Sequence, residues 1–140
     1  MAEISHEIKI KAPQSLVFDA LTTVHGLTGW HTSQLSGDAN LGGVIAFHSS
    51  ATPAFEWKVT KVDKLKGVEW ECVKGPGNSV GTTARFDLSE TSDGRILVEL
   101  SHSGWPHTRG NFRKCNTLWG ILLHHLRKYA ETGKRDPVFS

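Results

Sequence analysis

Residues Arg113 to Thr132 read RKCNTLWGILLHHLRKYAET, the longest helical period in the chain. Placed at about 100° per residue, Cys115, Leu118, Trp119, Leu122, Leu126 and Tyr129 share one face, with Phe112 and Leu123 at its margin. Arg113, Thr117, Gly120, His124, Arg127 and Lys128 take the opposite face. The stop signal follows directly: Gly133 for a left-handed cap, basic Lys134 and Arg135 beside the negative helix end, and Pro137 beyond. A helix of roughly 20 residues spans ~30 Å. It needs an apolar surface of comparable length to cover.

The rest of the chain supplies that surface as strands. Ile4, His6, Ile8 and Ile10 alternate with Ser5, Glu7, Lys9 and Lys11, a period of two with one apolar face. After Ala12-Pro13, residues Ser15 to Thr22 place Leu16, Val17, Ala20 and Leu21 at helical spacing. A second short helix is expected from Val24 to Trp30 despite Gly26 and Gly29. Gly37-Asp38 and Gly42-Gly43 read as turns, with a strand from Val44 to Ser49 ahead of Pro53. Phe55, Trp57 and Val59 then alternate with charged neighbours, as do Val68, Trp70 and Cys72, then Ala84, Phe86 and Leu88, and finally Ile96, Val98, Leu100 and His102. Lys66-Gly67, Pro76-Gly77-Asn78 and Asp93-Gly94 are the intervening turns. Hairpin-length connections imply an antiparallel meander. The expected class is therefore α+β: a curved antiparallel sheet of about six to seven strands wrapped round a long C-terminal helix, with two short helices after the first strand, in one domain over residues 1–140.

Composition bounds the function. The chain has 140 residues, 38% hydrophobic and 21% charged, and sixteen basic against fourteen acidic residues give a formal net charge of +2. The basic residues are scattered, so neither a nucleic-acid footprint nor a membrane-surface patch is legible. Cys72 and Cys115 lie far apart with no CxxC spacing, as expected of buried thiols in a reducing compartment. The N-terminus alternates apolar with charged residues, unlike a signal peptide, and no stretch reaches transmembrane length; the cytoplasm is the expected location.

The aromatic residues point to a site. Phe55, Trp57, Trp70 and Phe86 share the inward strand parity, and Trp119 and Tyr129 face them from the long helix. A bent sheet gripping a helix packs at one end and gapes at the other, which leaves room for an apolar cavity. His6, His48 and His102 fall at inward parity, and His102 leads into Gly104-Trp105-Pro106 near the expected mouth. No HExxH, GxSxG, P-loop or GxGxxG occurs, and Glu56, Glu69, Glu71, Asp87 and Glu99 all have outward parity. His124 and His125 point about 100° apart and cannot chelate together, so no metal is expected, and no cofactor is implied.

The chain resembles the START-like superfamily, also called SRPBCC or Bet v 1-like, with its helix-grip fold. Within it the chain is most similar to the activator of Hsp90 ATPase homologue family. The resemblance rests on Ala12-Pro13, then Val17-Phe18-Asp19-Ala20-Leu21-Thr22 and Trp30; on His102-Ser103-Gly104-Trp105-Pro106; and on Trp119, Leu123, Leu126 and Tyr129. It departs where the family often has a second Trp and this chain has His31, and where Leu118 rather than Gly precedes Trp119. The resemblance implies a tapering hydrophobic cavity between sheet and last helix. Ligand, partner and activity vary among such proteins, which include lipid and hormone binders, polyketide cyclases and co-chaperone domains.

Three expectations follow. The first is a binding module for a small hydrophobic or aromatic ligand, a lipid or an aromatic compound, among Trp30, His31, Trp57, Trp70, His102, Trp105, Phe112, Trp119 and Leu122, with His31, His102 or Asn116 orienting a polar end. The second is a cyclase- or dehydratase-like enzyme in which His102 or His31 titrates near neutrality as acid/base. The third, by resemblance, is an interaction domain for an Hsp90-type chaperone. Oligomeric state is not legible.

Overall fold

A computed structural model of the chain describes residues 1–48 and 54–139. The alternating segments become strands: β1 (Ala2–Ile10), β2 (Gln34–Gly37), β3 (Val44–His48), β4 (Phe55–Asp63), β5 (Gly67–Lys74), β6 (Thr83–Glu90) and β7 (Ile96–Trp105). They form one seven-stranded sheet in the order β1-β7-β6-β5-β4-β3-β2, antiparallel throughout. The first strand lies against the last, with Ile4 opposite His102 and Ile8 opposite Val98. Helices α1 (Gln14–Thr22) and α2 (Val24–Trp30) follow β1, and α3 (Asn111–Thr132) ends the element order. No described helix is long and apolar enough to cross a membrane.

Helix α3 buries Trp119, Leu122, Leu123, Leu126 and Ala130. Its last turn ends as the sequence predicts, on Gly133 at φ 74°, whose N–H donates to Tyr129 O at 2.8 Å. On the sheet, Trp57, Val59, Val68, Trp70, Cys72, Ala84, Phe86, Leu88, Ile96, Val98, Leu100 and His102 are all buried, as their parity requires.

Three local readings are corrected. Strand β2 falls where only a turn was expected; its four residues Gln-Leu-Ser-Gly carry no apolar alternation, and pairing with β3 makes it a strand. In β3 the inward residues are Ile45 and Phe47, while Val44 and His48 are exposed. Residues opposite one another in an antiparallel pair share a face, and Ile45 lies opposite inward Trp57 and Phe47 opposite Phe55. The parity assigned to His48 with Val44 and Ala46 is therefore the outward one. In α1, Leu16 faces solvent at 47% exposure and Phe18 takes the inward position. Ser49 and Pro53, used to bound the β3 strand, lie outside the described residues.

The two glycines that weaken α2 as a helix are explained by packing. A β-carbon at Gly26 would sit 2.6 Å from Asp19 O, and one at Gly29 would collide with the Tyr129 ring. Thr23 caps α2 by accepting a bond from Gly26 N–H at 2.9 Å. Gly29 thus sets how closely α2 approaches α3. Gly29→Ala should lower stability by about 1–3 kcal/mol through overpacking, despite alanine's better helix propensity. Urea denaturation measures this, and an unchanged or higher midpoint would show that the contact is slack.

Candidate functional site

Sheet and helix close over a cavity of about 70 Å³ at the N-terminal half of α3. The helix contributes Cys115, Leu118, Trp119 and Leu122 to its wall, while Leu126 and Ala130, nearer its C-terminus, are solid core. The sheet supplies Phe47 and His48 from β3, Phe55 and Trp57 from β4, and His102 from β7. His31 and Thr32 after α2, and Phe139 near the C-terminus, complete it. Aromatic contacts fix the wall: Phe55 and Trp57 stack with centroids 6.1 Å apart, and His31 lies 4.3 Å from Phe47 and edge-on to Trp119 at 6.4 Å.

The sequence-predicted residues divide clearly. His31, Trp57, His102, Trp119 and Leu122 come together round the cavity. Trp30 is fully buried among α1 and α2 and its indole N–H donates to Ala20 O at 2.8 Å. Trp70 lies behind the wall, 5.9 Å from Phe47 and 6.1 Å from Trp57. Trp105 packs on the far side of His102 at 4.7 Å, with half-buried Phe112 edge-on to it. Asn116 is exposed and meets His6 Nε2 at 2.9 Å, so neither belongs to the cavity. Sequence reasoning missed Phe47, through the parity of β3, and Phe139, which carries no periodic signal. It also passed over Phe55, Cys115 and Leu118 as site residues, although each had been placed on an inward face.

His102 is held on both nitrogens. Its Nδ1 accepts from the Trp119 indole N–H at 3.0 Å, which leaves the ring proton on Nε2. Nε2–H then donates to Thr82 Oγ1 at 2.8 Å, and Thr82 O–H donates to Ser79 O at 2.6 Å. Burial pushes the His102 imidazole down from 6.5 to about 4. A second proton would place two N–H groups against each other at Trp119.

His31 differs. Its ring is half-buried, but Nδ1 is sealed from solvent and has no hydrogen-bond partner among the described residues. Burial holds it at about 3, so it too is neutral at pH 7. Both imidazoles therefore lie well below the near-neutral titration expected of an acid/base. The other polar groups of the wall are engaged: Thr32 Oγ1 donates to the His48 carbonyl at 2.8 Å, while the His48 ring lies on the outer face of β3, 3.4 Å from Ser36 Oγ. The Cys115 thiol is pushed up to about 11 by burial and stays protonated. Among the described residues no three His, Cys, Asp or Glu side chains gather as a metal-ligand set.

Against known proteins, residues 11–131 match the family model described as "Activator of Hsp90 ATPase homolog 1-like protein". The structure of the Aha1 dimer from Colwellia psychrerythraea is 34% identical and superposes with a TM-score of 0.86 over 96% of this chain and 99% of that one. Protein MLL2253 from Mesorhizobium loti, 18% identical, gives a TM-score of 0.77 over 91% and 95% of the two chains. CalU16 from Micromonospora echinospora, 19% identical, gives 0.75 over 91% and 73%. These last two share the fold. No curated protein matches. The match across residues 11–131, the 34% identity to the Colwellia protein and the helix-grip sheet round α3 establish that the chain belongs to the activator of Hsp90 ATPase homolog 1-like family, within the START-like superfamily.

Proposed function

We propose that the chain binds a small, largely apolar, aromatic ligand in the cavity between α3 and the sheet, and that seating it turns the His31 ring so that Nδ1 meets one polar atom of the ligand. The observation that carries this reading is the contrast in polar satisfaction. The wall is almost wholly aromatic and aliphatic, His102 and Thr32 are saturated, and His31 Nδ1 is buried without a partner among the described residues. A buried polar atom left unpaired costs about 1–3 kcal/mol, which a ligand with a matching group would recover. The cavity of about 70 Å³ is well below the roughly 300–1,000 Å³ of drug-sized pockets and below the roughly 150 Å³ that takes benzene, so a single-ring compound, seated as the wall relaxes, fits better than a long acyl chain.

The same geometry argues against a cyclase- or dehydratase-like role for His102. A general base needs a free lone pair aimed at the substrate, and both nitrogens of His102 are committed to protein partners. His102 instead ties α3 to the sheet.

Titration with phenol and with hexadecanoic acid, followed by Trp fluorescence and native mass spectrometry, tests the proposal. We expect phenol to bind and the fatty acid not to. His31→Phe, which keeps an aromatic ring and removes the nitrogen, should weaken phenol by roughly 2- to 12-fold, the value of one net hydrogen bond. Absence of any fluorescence change or added mass would end this reading.

The buried imidazoles also set a pH dependence. Each folded-state value lies below the ordinary 6.5, so the unfolded chain binds protons first as pH falls. Their contribution to stability is full above about pH 6.5 and declines as pH falls towards 4. The urea midpoint should therefore drop between pH 7 and 4.5, and His102→Gln should flatten part of that slope. An identical slope in the variant would place the linkage elsewhere.

A further inference from the structure

A second groove, of about 370 Å³, lies where β1 faces α3. One wall is the strand segment His6 to Lys9 and the other is Gly120, Leu123, His124 and Arg127 of the helix. Strand β1 is an edge strand. It pairs with β7 alone, and among the described residues no backbone hydrogen bond joins residues 2–10 to anything on the other flank. Just past its end, Lys11 N–H donates to the Glu131 carboxylate at 2.8 Å. Backbone groups two residues apart in a strand point the same way, so the N–H groups of Lys9 and Glu7 are aimed at this same flank. A nine-residue edge with an open row of donors and acceptors is a template for an added strand.

The side chains say which strand. The floor is apolar, with Ile8 and Leu123 buried. Gly120, unsuited to a helix interior by propensity, leaves the floor open: a β-carbon there would meet only His6 Cε1, at 3.8 Å. The rim is cationic. Lys9 and Arg127 have no carboxylate within ion-pair distance among the described residues, and Arg127 instead donates to His124 Nδ1 at 3.2 Å. Arg95 is also on the rim, already paired with Asp93 at 2.8 Å, and Glu7 is the one acid among the lining residues. A second copy related by a two-fold axis at this edge would bring two α3 faces, each with the cations Arg113 and Arg127, toward one another. A small anion would use the cations but leave the carbonyls of β1 and the apolar floor unused.

We propose that this groove binds an extended segment of a partner protein with alternating apolar and acidic residues, added as an eighth strand to the free edge of β1. Apolar side chains enter over Ile8 and Leu123 where Gly120 makes room. Acidic ones, on the opposite face of the added strand, reach Lys9, while the unpaired charge of Arg127 on the helix wall draws an acidic segment to the groove. This interaction does not depend on the aromatic cavity.

The test is amide NMR of the whole chain with the capped peptide Val-Glu-Val-Glu-Val-Glu and its lysine counterpart. The acidic peptide should shift the amides of Glu7, Lys9 and Gly120 and slow hydrogen exchange at Glu7 and Lys9; the lysine peptide should do neither. The pair Lys9→Glu and Arg127→Glu, both on the rim, should weaken the acidic peptide by about tenfold or more and admit the lysine one. Gly120→Leu, which favours the helix and fills the groove, should abolish binding with the fold intact. The proposal fails if neither peptide binds, if both bind alike, or if the shifts map elsewhere. It fails equally if the edge is taken by a second copy, seen as a concentration-dependent dimer that Gly120→Leu dissociates.

Discussion

The bond from the Trp119 indole N–H to His102 Nδ1 is the joint on which the grip of helix on sheet depends. It joins the middle of α3 to the end of β7 at 3.0 Å, with Trp119 only 4% exposed and His102 fully buried. Such a bond in a low-dielectric interior holds two elements in register, because breaking it strands a donor and an acceptor away from water. The chain of bonds continues through Thr82 to Ser79 O, fixing the turn between β5 and β6. Asn111, the first residue of α3, donates to Pro76 O in the same turn at 2.9 Å. The helix is thus held at two points by one loop, and its N-terminal half is kept at a set height above the sheet. That height leaves the cavity.

The long strands were legible because each has one apolar and one charged face, and burial followed the alternation at every inward position from Trp57 to His102. Strand β3 was legible as a strand but not in its facing, since Val44, Ile45, Ala46 and Phe47 are all apolar and the pattern carries no phase. The face was decided by its neighbour, through Ile45 opposite Trp57. For the site, parity named the face but not the depth. Trp57 and Trp70 both point inward, yet only Trp57 reaches the cavity and Trp70 stands behind it; Trp105, placed near the mouth by its position after His102, packs behind that ring instead. Depth depends on sheet curvature and on which rings stack in front, and neither is written in local sequence. Asn116 misled for the opposite reason, since its polarity suggested a ligand contact while its position on α3 turns it out toward His6.

Two histidines in one wall have opposite characters, and the difference is one of partners. Burial lowers the proton affinity of both, so neither carries charge at pH 7. His102 spends its donor and its acceptor within the protein and becomes structural. His31 stands among Trp30, Phe47, Trp119 and Phe139, rings that fill space around it but offer it no hydrogen bond. At this position the family often has a second Trp, which would bring bulk with its polar atom placed elsewhere. The imidazole is smaller and puts a buried nitrogen into the wall.

The position of that nitrogen is set by the end of the chain. A short helix such as α2 leaves carbonyls at its C-terminus without intrahelical partners. Here the N–H groups of Asp136, Val138 and Phe139 bond the carbonyls of Gly29, Trp30 and His31 at 3.0–3.1 Å, and Ser33 N–H returns to Phe139 O. Lys128 and His125 of α3 hold Asp136 in place, the first through its carboxylate at 3.2 Å and the second through its carbonyl at 2.6 Å. The segment thus satisfies a helix end, lays Phe139 beside His31 with centroids 6.1 Å apart, and completes the cavity wall in one stroke. Its anchors outside the backbone are exposed, and exposed ion pairs contribute little. The backbone bonds to α2 must then carry most of what keeps Phe139 in the wall, which makes the C-terminal end of α2 a structural part of the site rather than a neighbour of it.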